Sequence, residues 1–205
     1  MKKRYSKRYK NLLSVSKDKK IETIDEAIKK VKKNCTTKFD ESIDVSLFLN
    51  LKQKKEEFNL RTVVNLPNGN GKKIKVGVLC EENKTTEAKN AGADIYGSEN
   101  LVNDISNGKI NFDKLIATPA MMPKMSKLGK ILGPKGLMPN PKLGTVTNDI
   151  KKSVHALKSG QIEIKNDVDG NVGASIGKKS FTDTKIKENY QAFIDTILKE
   201  KPNAI

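Results

Sequence analysis

The chain has 205 residues, and 40 Lys and Arg against 24 Asp and Glu leave a formal charge of +16 at neutral pH, so its expected partner is a polyanion. That length holds one large domain or two small ones, each with a core of its own, and excludes a large multidomain enzyme. With 36% hydrophobic and 31% charged residues the chain is polar but not of disordered composition, and no apolar run reaches the roughly 18 to 20 residues that span a bilayer, which excludes an integral membrane protein.

The first ten residues carry six positive charges (Lys2, Lys3, Arg4, Lys7, Arg8, Lys10) and no acid, as in a basic arm or a helix lying on an acidic partner. Only Leu12, Leu13 and Val15 follow where a secretory signal needs an apolar run, so secretion is not expected. Thr23 and Glu26 have capping-box spacing, and Ile24, Ala27, Ile28 and Val31 repeat at helical spacing, which predicts a helix over about 23–33. Residues 42–49 alternate and are rich in Ile, Val and Phe. A second extended run at 60–66 stops at Pro67 and a turn over 68–71. These are two expected strands, joined by a Lys-rich connection.

From residue 74 the pattern changes to strands alternating with short helices. IKVGVLC (74–80), a helix near 85–91, ADIY (93–96), a helix near 99–106 and KLIATP (114–119) predict a largely parallel α/β sheet. Another helix is expected from Asn148 or Asp149 to Lys158, ended by Gly160. QIEIKN (161–166), a turn over 167–170 and NVGASIGK (171–178) carry a hairpin signal. The chain closes on an amphipathic helix, with Ile186, Tyr190, Phe193, Ile194 and Ile197 three and four apart. The hairpin and last helix match the alternating character of the first 66 residues and differ from the middle. One domain is therefore expected over 1–67 plus 159–205, and an inserted one over 68–158, joined by two crossings that permit hinge motion.

Charge follows the same division. Seven acids against three lysines between residues 81 and 113 should face away from a polyanion, whereas 124–142 hold five lysines and no acid. The run KLGKILGPKGLMPNPKLGTV (127–146) has four glycines and three prolines, which predicts a long shaped loop after a helix. Lys127, Lys130, Lys135 and Lys142 offer donors to phosphate from it, and a loop that only packs on its own domain is the plainer reading. It is not a Walker loop, because Gly129 and Gly133 enclose three residues and Pro134-Lys135-Gly136 follows. The 68–71 turn precedes a strand and so fails as a dinucleotide fingerprint.

GPKGLMPNPKLGTV closely resembles the signature of a known family, the large-subunit ribosomal proteins number one, which form the mobile lateral stalk beside the exit site. The similarity continues through KRYKNLL (7–13), TIDEAI (23–28), TKFDESIDV (37–45), LRTVVNLPNGNGK (60–72), AGAD (91–94), FDKLIATPAMM (112–122), KSGQIEIKND (158–167) and IGKKSF (176–181). It implies an α/β protein: an α+β first domain gripping folded large-subunit ribosomal RNA, with an inserted α/β, Rossmann-like second domain on a double-strand hinge. Implied RNA contacts are Lys38, Phe39, Glu41 and Ser42 of the TKFDES segment, Asn166 and Asp167 of the hairpin turn, and Lys7, Arg8, Arg61 and Lys178. Lys127, Lys130, Lys135, Asn140 and Lys142 form a basic loop on the second domain, a further candidate for RNA. For Phe39 the residues leave two readings, a plug in the core or a face for sugar or base.

The resemblance also implies a single copy in the ribosome, help in releasing deacylated tRNA from the exit site, and repression of its own operon through an mRNA site like the rRNA site. Family members continue into a further strand with a Thr-Met-Gly motif, whereas this chain stops at KEKPNAI, so an exposed sheet edge and fewer RNA contacts are expected. KQKKEEFN (52–59) departs from the family's Ser-Asp-Gln-Asn stretch, although Arg61 remains. With nothing preceding KRYKNLL but a few basic residues, a bacterial cytoplasm is expected, with an organelle-made version left open.

Nothing points to catalysis. His155 has no nucleophile or carboxylate at triad spacing, Met121, Met122 and Met125 with Leu128 read as core filling, and Asp167 and Asp169 are too few for a calcium loop. Cys35 and Cys80 are expected as reduced thiols, without metal, disulfide or cofactor. Two rivals remain: a basic protein that coats nucleic acid without preference, and an α/β nucleotide-binding enzyme. The first predicts steep salt dependence, and the second needs a phosphate-binding turn that the sequence does not supply.

Overall fold

A computed structural model describes residues 5–15, 22–49, 60–167 and 169–200. Lys2, Lys3 and Arg4, the Lys-rich connection 52–59 and residues 201–205 lie outside them. In chain order the elements are α1 (Lys7–Val15), α2 (Ile24–Asn34), β1 (Ser42–Phe48), β2 (Arg61–Asn65), β3 (Val76–Leu79), α3 (Thr85–Asn90), β4 (Ile95–Gly97) and α4 (Glu99–Ser106). They continue with β5 (Lys114–Ala117), α5 (Met122–Ser126), α6 (Gly129–Leu132), α7 (Ile150–Ser159), β6 (Gln161–Lys165), β7 (Asn171–Lys178) and α8 (Asp183–Glu200). The fold is mixed α/β.

The middle of the chain builds a parallel sheet in the order β4-β3-β5. Its central strand is buried along its whole length, as both covered faces demand, and alternation sorts the side chains. Val76, Val78, Cys80 and Ile116 meet Ala88 of α3 and Ile150, Val154 and Leu157 of α7 on one face. Leu79, Leu115 and Ala117 meet Leu101 and Ile105 of α4, Met125 of α5 and Leu132 of α6 on the other. Met121, Met125 and Leu128 are core, as their spacing suggests.

The flanking segments pack around a separate cluster. Ile28 of α2, Ile43 of β1, Val64 of β2, Ile164 of β6, Val172 and Ile176 of β7 and Ile186, Phe193 and Ile197 of α8 bury against one another. Thr23 caps α2 with a reciprocal pair, its N–H donating to Glu26 Oε2 at 3.0 Å and its Oγ1 accepting from the Glu26 N–H at 3.4 Å.

Two expectations change. The hairpin of 161–178 does not form a ladder with itself: β7 pairs antiparallel with β1 and β6 with β2, and an isolated bridge, Asn166–Val172, joins its two arms beside the turn. A turn longer than two residues does not pin register, so the strands splay and each lays its apolar face on the shared cluster with α8. The 127–146 run is also less irregular than a loop. Gly129–Leu132 winds into a short helix because Leu128 and Leu132, four apart, are both buried. Asn140 Oδ1 then accepts from the Lys142 N–H at 2.9 Å and caps a 3₁₀ turn over Pro141–Leu143.

The two crossings between flanking and middle segments touch. Gly160 sits at φ 111°, and a Cβ there would come within 2.3 Å of Gly69 Cα, so only glycine fits. Asn189 of α8 is completely buried beside them. Its Oδ1 accepts from the Asn68 N–H at 3.0 Å, and its Nδ2 donates to the Gly69 carbonyl at 2.8 Å and the Ile176 carbonyl at 2.7 Å.

Candidate nucleic-acid interface

Glu41 organises one end of the β1–β7 pair. Its Oε1 accepts from Arg8 of α1 at 3.0 Å and from the Thr37 N–H at 3.0 Å, while its backbone carbonyl takes the Lys179 N–H at 2.9 Å. The bonds from Thr37 and from the Cys35 thiol, with the Arg8 charge beside them, hold its carboxyl down from an ordinary 4.5 to about 2. Burial first and the bond to Glu41 second push the Cys35 thiol up. Next to it, Asp40 accepts from the Ser180 N–H at 3.0 Å and the Ser180 hydroxyl at 2.7 Å, and those bonds lower its pKa. Lys178 donates to the Ser42 hydroxyl at 2.7 Å and Lys179 to the Cys35 carbonyl at 2.6 Å. The acids of TKFDES are thus engaged inward, in fixing the segment to α1 and to the β7–α8 corner.

What the segment presents outward is different. Phe39 is 70% exposed, so of its two readings the core plug is wrong. Lys38 beside it is exposed and, like Lys7 and Lys10 on α1, makes no ion pair among the described residues. Tyr5 and Tyr9, four apart, are both nearly half exposed with ring centroids 4.7 Å apart. An exposed ring beside free ammonium groups on a rigid base can stack on a base or sugar while lysines meet phosphate.

The other expected contacts lie elsewhere. Ser42 pairs with Lys178 at one end of the ladder and Phe48 with Asn171 at the other, so the length of β7, about 23 Å at strand rise, separates Phe39 from the 166–171 turn. Asp167 spends its carboxylate on that turn, and Asn166 ties the turn to the start of β2. Asn166 Oδ1 accepts from the Leu60 N–H at 2.6 Å, and Asp167 accepts from the Asn171 N–H at 2.7 Å and the Asn171 amide at 3.0 Å, which lowers its pKa. Arg61 is on the same side, opposite Lys165, and holds Glu163 at 2.7 Å. Lys127, Lys130, Lys135 and Lys142 are exposed on the α5–α6 region and the turns after it, while Asn140 is half-buried and occupied as a cap.

This arrangement of exposed cations over an α/β core coincides with sequence similarity along nearly the whole chain. Residues 31–204 match the model of the ribosomal protein L1p/L10e family. The chain belongs to this family. It is similar to the large ribosomal subunit protein uL1 of Pelagibacter ubique (strain HTCC1062), 61% identical over 198 residues, which are 97% of this chain and 86% of that protein. As a member of the L1p/L10e family it is a structural protein and not an enzyme. No helix among the described residues is long and apolar enough to cross a membrane.

In this L1p/L10e chain, sequence reasoning passed over Tyr5, Tyr9, Asp40, Lys179 and Ser180. The tyrosines carried a usable signal, two aromatics four apart within a basic helix. Asp40 and Ser180 had none, since only the fold brings residues 140 apart into a hydrogen bond.

Proposed function

We propose that the chain is a constituent of the large ribosomal subunit that binds a folded segment of large-subunit rRNA directly. The face built by α1, residues 37–42 and the β7–α8 corner does the gripping. The carrying observation is Phe39, 70% exposed between a free Lys38 and the inward-bonded Asp40 and Glu41. Charge neutralisation supplies affinity, and the fixed ring and polar groups supply shape. RNA binding is general for the L1p/L10e family, and the uL1 relative is named as a large-subunit protein. The finer roles belong to the same proposal: a mobile lateral stalk, release of exit-site tRNA, repression of its own operon mRNA, and a single copy acting in the cytoplasm. So does division into 1–67 plus 159–205 and 68–158, with a hinge at the paired crossings, which the separate hydrophobic clusters support.

The test compares binding to a folded large-subunit stalk RNA and to an unrelated duplex of equal length at roughly 0.15 M salt. A preference of about a hundredfold, lost by about tenfold or more in Phe39→Ala and Lys38→Ala, is expected. Equal binding to both RNAs would favour the second reading, a nonspecific basic coat, which the charge of +16 supports.

A further inference from the structure

One face of the parallel sheet is covered by α4, α5 and α6, and the cover is incomplete. Between α4 and the α5–α6 segment lies an open groove of about 780 Å³. Its floor is apolar: Leu128 is buried, Val102 and Ile131 are half-buried, and Pro123 is exposed at the rim. Glu99, the one acid of the lining, is taken, since Lys124 reaches its Oε1 at 2.6 Å. Lys127, also in the lining, and Lys130 near it on α6 are exposed and make no ion pair among the described residues.

We propose that this groove is a docking site for an acidic amphipathic helix of a partner protein. Helices pack ridge into groove, and two of them side by side offer a third a seat whose contacts recur every three or four residues. Val102 and Ile131 supply what an amphipathic helix lacks when alone, apolar surface to cover its own. The sign of the partner follows from charge. Lys124 neutralises Glu99, so Lys127 and Lys130 leave the rim positive, which attracts carboxylates and repels a basic helix. A nucleic acid is a poorer match. Aliphatic surface lies where phosphate would have to sit, and no aromatic ring lines the groove for a base to stack on. The groove belongs to the cover of the middle sheet and shares no residue with the Phe39 face, so it stands apart from the rRNA reading.

The full chain is titrated by fluorescence anisotropy at roughly 0.15 M salt. The ligand is a labelled helical peptide of about 15 residues, its leucines three and four apart and its other positions rich in glutamate. Binding is expected to fall about tenfold in Lys127→Glu/Lys130→Glu and about fivefold in Ile131→Ala. It should fall less than about twofold in Lys151→Glu/Lys152→Glu, an equal change of charge on α7. All four lysines are exposed, so unchanged circular dichroism and melting confirm those folds, and they decide the matter if Ile131→Ala does not fold. A peptide of the same composition, with its leucines scattered around the helix, should bind about tenfold more weakly. Failure of the amphipathic peptide to bind, equal binding of the scattered one, or equal loss in the α7 control overturns the proposal. A loss of tRNA binding in Ile131→Ala without a loss of peptide binding also overturns it, by making the groove a nucleic-acid surface.

Discussion

Phe39 and Glu41 stand two residues apart and do opposite things. Phe39 contributes little to the core from an exposed position, so its truncation should leave stability within about 0.5 kcal/mol while RNA binding falls. Glu41 works inward, and its chemistry makes a pH prediction. A carboxyl held at about 2 against an ordinary 4.5 favours the folded state while ionised. That contribution is fully present above about pH 4.5 and is lost as pH falls from there through about 2. Urea midpoints measured between about pH 6 and 2.5 should therefore fall more for the native chain than for Glu41→Gln, which has no proton to take up. Parallel curves for the two would mean that the Thr37 and Arg8 bonds carry no stability. The motif placed Phe39 and Glu41 in one segment, but residue type alone could not say which faced water. That depended on Thr37, Arg8 and Lys179, the last 138 positions away.

At the scale of elements, local signals worked where the local physics is complete. The α2 cap is such a case, because Thr23 and Glu26 satisfy each other's backbone donors without outside help. Thr23→Ala should lower stability by about 1 kcal/mol, read as a shift in urea midpoint at constant slope, and no shift would mean that α2 is held by packing alone. The strands of the middle sheet were legible because burial on both faces writes a continuous apolar run, as in VGVL. The hairpin was not. Its turn and alternation were present, yet strand partners depend on which edges are free, and β1 and β2 claimed β7 and β6. The short α6 was hidden for a related reason, since its glycine marks loop and only the buried Leu128 and Leu132 select a helix.

At the scale of the molecule, one side chain links three places. Asn189 ties Asn68 and Gly69 at the first crossing to Ile176 of β7, and its burial makes each bond count. Asn189→Ala leaves a buried N–H and two carbonyls unpaired and should cost about 2–3 kcal/mol. It should also quicken proteolytic cleavage at 68–71, and a variant with native stability and native cleavage would show that water replaces the amide. The sequence by itself determined the partner class, through a charge of +16, the family, through the GPKGLMPNPKLGTV run, and most helices and strands, through periodicity. These are properties of composition and of neighbours along the chain. Tertiary structure decided which strands pair, that Phe39 faces outward while Glu41 is bonded inward, and that Val102, Lys127 and Ile131 share one groove. Such facts depend on groups far apart in sequence, whose meeting is set by burial of the whole core and by no local preference.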